Sequence, residues 1–94
     1  MIIPAIRTIL PVLLKSARYT PKTKDVEILS RLLNRMKYLR SNSSSVRTAA
    51  RMAVQECKQP HQSVNPTVAW FQRQWGWNEE KLIEVLETLW NSLK

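Results

Sequence analysis

At 94 residues the chain has room for one domain with a modest core, and at 44% apolar residues it is too hydrophobic to remain disordered. One glycine excludes a glycine-rich phosphate loop and argues against hairpins joined by tight turns. One cysteine excludes an internal disulfide and fits a reducing compartment, and no apolar run approaches the ~18–20 residues of a membrane span.

The net charge of +8 is divided unevenly. Residues 1–58 hold twelve Lys or Arg against Asp25, Glu27 and Glu56, whereas residues 59–94 hold Arg73, Lys81 and Lys94 against four glutamates. A basic part followed by a near-neutral part points to a meeting with an anionic partner: nucleic acid, anionic lipid or an acidic protein surface.

In chain order, the first expected helix covers residues 4–18. Ile6, Leu10, Leu13 and Ala17 share one face, and Arg7, Lys15 and Arg18 cluster on another. Pro11 interrupts it and implies a kink or a new turn. Thr20-Pro21 reads as an N-cap followed by proline at the first helical position, opening a helix over 21–40. Its stripe is Val26, Leu29, Leu33 and Met36, widened by Ile28, Leu32 and Leu39 to suit two neighbours. The polar run 41–45 breaks the chain. A third helix over 45–58 presents Val46, Ala49, Ala50, Ala53 and Cys57, small residues that admit a neighbouring helix closely.

Residues 59–64 read as a loop. Asn65-Pro66 starts a short helix over 66–75, which Gly76 ends as a left-handed residue. Asn78, followed by Glu79 and Glu80, starts the last helix over 79–93, with Trp77 and Leu82 spaced as a hydrophobic staple. Leu82, Leu86, Leu89 and Leu93 form its stripe, flanked by Ile83, Val85 and Trp90, with Glu80, Glu84 and Glu87 in another sector. The expected fold is all-α: one small bundle of four to five helices, compact or partly extended. Residues 1–58 form its basic part and 65–94 its Trp-rich part.

Three features carry functional expectations. Residues 1–24 combine five bases, no acid and an apolar helical face, the build of a mitochondrial targeting segment or of a helix lying on an anionic membrane. Arg47, Arg51 and Lys58 fall in one sector of the third helix, and Lys24, Arg31 and Arg35 form a comparable line on the second. Such rows can follow phosphates. A helix-turn-helix reading of these two helices is weak, because the turn is serine-rich and lacks glycine. Trp70, Trp75, Trp77 and Trp90 gather in the last quarter of the chain and, with Leu86, form a candidate protein-docking surface. Val68, Phe71 and Trp75 share a face of the short helix, and Trp70 is expected on the other. The stretch 9–15 invites comparison with the small basic mitochondrial LYR-type helical proteins, but Ile9-Leu10-Pro11 stands in place of Leu-Tyr-Arg, so it implies no residue roles.

Catalysis has little to stand on. Cys57 and His61 are the single cysteine and histidine, and Pro60 separates them. No catalytic residue, metal ligand or cofactor is expected. The reading is a non-enzymatic accessory or assembly subunit of a larger, mitochondrial protein or ribonucleoprotein complex. Its basic part would meet RNA, lipid headgroups or an acidic subunit, and its Trp-rich end would meet protein. The alternative is a free-standing nucleic-acid-binding module.

Overall fold

A computed structural model describes residues 6–16, 18–41, 45–58, 60–61 and 63–93, with the side chain of Arg7 not among them. Five helices follow in order: α1 (Ile6–Ser16), α2 (Thr23–Arg40), α3 (Val46–Gln55), α4 (Pro66–Trp75) and α5 (Glu79–Leu93). No strand occurs among the described residues.

Helix α1 passes through Pro11, which faces solvent near its middle. Its seam is Ile6, Leu10 and Leu14, all buried, with Leu13 half-buried beside them. Spacing of four carries the seam to Leu14, where the sequence reading placed Leu13. Residues 4, 5 and Ala17 of the expected helix lie outside the described residues. The chain then turns through Arg18 in a left-handed conformation, φ 68°, and the Tyr19 N–H donates to the Leu14 carbonyl at 2.8 Å.

Helix α2 corrects the expected cap. Thr20 and Pro21 precede the helix, and Lys22 is the N-cap. A lysine side chain has no acceptor for the first amides. The Asp25 carboxylate instead reaches back to accept from the Lys22 N–H at 3.0 Å, the return half of a capping box. The negative charge also suits the positive end of the helix dipole.

Helix α3 begins as expected. The Ser45 hydroxyl accepts from the Thr48 N–H at 3.1 Å. It stops at Gln55, three residues short of the expected end. The Val54 carbonyl is taken by the Asn65 side-chain amide at 2.8 Å and by the Cys57 N–H at 3.1 Å. Lys58 therefore bonds Gln55 instead, at 3.2 Å, and the α-helical ladder ends.

The starts of α4 and α5 match their sequence signals. Asn65 Oδ1 accepts from Thr67 and Val68 at 3.0 and 3.3 Å, and Asn78 Oδ1 accepts from Lys81 at 2.8 Å. Gly76 closes α4 with φ 72°, and its N–H returns to the Gln72 carbonyl at 2.9 Å.

The largest helix contact is α2 on α3, followed by α3 on α5. Ala49, Ala50 and Ala53 are all buried there, which lets the backbones approach. Leu10, Leu14, Leu29, Leu33, Met36, Val54, Phe71, Leu82, Ile83 and Leu86 form the fully enclosed centre, so both parts of the chain share one core. The molecule measures 38 × 32 × 18 Å with a radius of gyration of 12.7 Å. That is close to the ~12 Å expected of a closed domain this long, and it removes the partly extended alternative.

Candidate functional site

Two of the four tryptophans converge on a group that the sequence reading did not single out. Asp25, at the third position of α2, is only 1% exposed. Its Oδ1 accepts from the Trp70 indole N–H at 2.8 Å, and its Oδ2 from the Trp75 indole N–H at 3.2 Å, beside the Lys22 N–H. A buried carboxylate needs this many donors, because burial removes its water. Trp70 and Trp75 were expected on opposite faces of α4. Their long side chains instead converge on one carboxylate and clamp α4 to the start of α2.

Trp75 also meets Tyr19 edge-on, with ring centroids 5.3 Å apart, and Trp77 stacks on Phe71 at 5.4 Å. Trp77 is 4% exposed and Leu86 is fully buried. The structure uses both in the core and corrects their placement on a protein-docking surface. Trp75 and Trp90 are half-buried against the same core. The Trp90 indole N–H finds no acceptor among the described residues.

The two cationic lines have different fates. Arg47 and Arg51 both reach across to α5: Arg47 Nη2 donates to Glu80 at 2.7 Å, Arg51 Nη1 donates to Glu80 at 3.0 Å, and Arg47 lies 3.5 Å from Glu87. The Arg51 hydrogen bond and charge, with Arg47 adding to them, hold the Glu80 carboxyl below its ordinary range. Because α3 ends early, Lys58 does not continue this row. It lines a cleft of about 780 Å³ with Gln72, Arg73 and Glu79.

The second line does assemble. Lys24, Arg31 and Arg35 of α2 line a groove of about 460 Å³ with Arg73 and Trp70 of α4. Its other walls include Ile28, Leu32, Ala53, Glu56 and Cys57. Lys24 Nζ sits 4.3 Å from the centroid of a Trp70 ring, a cation–π contact. Arg35 grips Glu56 with a bidentate fork, Nε to Oε1 at 2.9 Å and Nη2 to Oε2 at 2.7 Å. That bond holds the Glu56 carboxyl below its usual range and raises the Arg35 guanidinium. Arg31 and Arg73 are exposed, and no carboxylate among the described residues pairs with either.

Cys57 and His61 do not line a common cleft. The Cys57 thiol lies in this groove and donates to the Ala53 carbonyl at 3.5 Å, while His61 lines a separate cleft beside Ser63 and Val64. In comparisons with known proteins, no family model, no curated protein and no solved structure matches this chain.

Sequence reasoning missed Asp25, Glu56 and Arg73. An acid three residues after a proline-preceded helix start is a legible capping signal. No one-dimensional pattern marks which helix brings two indoles to that acid, or which carboxylate seats on which arginine.

Proposed function

We propose that the protein is a non-enzymatic accessory subunit of a larger mitochondrial assembly, docking through the groove between α2 and α4. The observation that carries this reading is the groove itself. It gathers Lys24, Arg31, Arg35 and Arg73 around Trp70, with Glu56 the one carboxylate among its lining residues. Excess positive charge beside a half-buried tryptophan is the composition of a binding hot spot. The Asp25 clamp ties together the two helices that carry the groove's cations. The mitochondrial part of the proposal rests on residues 1–24, with five bases and no acid.

The test is fractionation of cells expressing the tagged full chain, followed by size-exclusion chromatography at low salt. The chain should sediment with mitochondria and elute far above its own 11.0 kDa, with and without ribonuclease. Elution as a free monomer would refute the accessory role. Separately, residues 1–24 fused to a fluorescent reporter should direct it to mitochondria. A diffuse cytosolic or nuclear signal would refute the location.

A further inference from the structure

We infer that the groove between α2 and α4 takes an acidic peptide segment of a partner protein, with carboxylates flanking an aliphatic side chain. The inference rests on the docking reading above and names its ligand. Four cations and one carboxylate line the groove, leaving it with excess positive charge. Arg31 and Arg73, one from each helix, are the two guanidiniums there with no carboxylate partner among the described residues.

The neighbouring Arg35–Glu56 pair shows the contact these two arginines can make. It is a bidentate fork closed at 2.7 to 3.1 Å, and planar guanidinium matches planar carboxylate in this way. Ile28 and Leu32 of α2 also line the groove, and a leucine-sized side chain seated against them would leave water. A volume of about 460 Å³ suits a few side chains of a peptide.

Nucleic acid fits less well, on two counts. Trp70 is anchored through its N–H to Asp25 and carries Lys24 on its ring, so it is not a free platform for a base. Arg47 and Arg51, which would extend a track for phosphates, are closed onto Glu80.

The test titrates the isotope-labelled full chain with a short synthetic peptide in which two leucines stand among glutamates, followed by amide and indole shifts and by fluorescence anisotropy. Expected is saturable binding, with shifts concentrated on α2 residues 24–35 and on the Trp70 indole. Arg31→Glu with Arg73→Glu should weaken it by about tenfold or more, since reversal adds repulsion to the lost pairs. Arg31→Gln with Arg73→Gln should weaken it less. Both arginines are exposed, so both double variants should keep the wild-type circular dichroism. Lys15→Glu with Lys37→Glu makes the same net charge change outside the groove and should alter affinity by no more than about twofold.

Three results would each overturn the inference: no saturable binding, equal weakening by the Lys15 and Lys37 variant, or tighter binding of an oligouridylate with the same groove shifts. A large cellular complex that persists with Arg31→Glu and Arg73→Glu would also sink it, while leaving the accessory role standing. A monomeric wild-type chain in the cell fails that role on its own.

Discussion

The Asp25 clamp yields the most demanding test of the fold. Asp25→Ala removes the acceptor of two indole N–H groups and of the Lys22 amide at once. Lys22 is exposed and its amide can bond water. Trp70 and Trp75 are half-buried, so each indole loses a charge-assisted bond and regains only part of its hydration, about 1 kcal/mol apiece. Losing the carboxylate at the helix N-terminus adds roughly 0.5 kcal/mol, and the vacated volume adds a cavity cost. Relief of the carboxylate's own desolvation offsets part of this. The net expectation is about 2–4 kcal/mol, a large share of the ~5–10 kcal/mol that holds such a domain together.

In thermal unfolding followed by circular dichroism, that loss lowers Tm by on the order of 10–20 °C. Asp25→Asn keeps the shape and one oxygen acceptor but turns an amide against the other indole, so it should lie between the two, at roughly 1–2 kcal/mol. A double-mutant cycle of Asp25→Ala with Trp75→Phe should show coupling of about 1 kcal/mol. If Asp25→Ala melts within about 2 °C of wild type, or if Asp25→Asn is no more stable than Asp25→Ala, the carboxylate does not hold α4 and the reasoning fails.

Leu86 is fully enclosed, so Leu86→Ala should cost roughly 2–5 kcal/mol. Glu84, exposed and paired with Lys81 at 3.4 Å, should tolerate alanine within ~0.5 kcal/mol; urea unfolding of both variants checks this, and a silent Leu86→Ala would contradict the α5 packing. Arg47→Glu with Arg51→Glu places four carboxylates together across α3 and α5, so Tm should fall at low salt and recover as salt screens the repulsion; a salt-independent Tm would show that the pairs do not form in solution. Glu56 and Glu80 titrate lower in the folded protein than in the unfolded chain. Their ion pairs therefore contribute in full above the ordinary glutamate range near ~4.3, and that contribution disappears as pH falls through the lowered folded values. The Glu56→Gln, Glu80→Gln variant should show a shallower loss of Tm across that acid window, and an unchanged slope would refute the pairing.

The sequence by itself determined the helices, because the signals involved are local. Asn65, Gly76 and Asn78 act on backbone groups within a few residues, and the spacing of Leu82, Leu86 and Leu89 follows from the helical repeat alone. It failed where a local signal had a competitor, either another local signal or a bond from farther along the chain. Thr20-Pro21 reads as a cap, yet Asp25 supplies a capping bond one turn later. The third helix has no breaker before Lys58, yet Asn65 takes the Val54 carbonyl from eleven residues away.

The charges show the same division more sharply. A helical wheel places Arg47, Arg51, Arg31 and Arg35 on polar faces and treats them alike, since a wheel contains no neighbours. Packing α3 on α5 closes the first two onto Glu80, and packing α2 beside α4 leaves Arg31 and Arg73 to share a groove across 42 residues of sequence. Trp77 and Leu86 likewise read as docking residues until the core is assembled around them. Period and capping are properties of the chain's own backbone over one or two turns, and they are written in the sequence. Which ion pairs with which, and which aromatic remains at the surface, depends on helices meeting in space, and only the tertiary structure decided it.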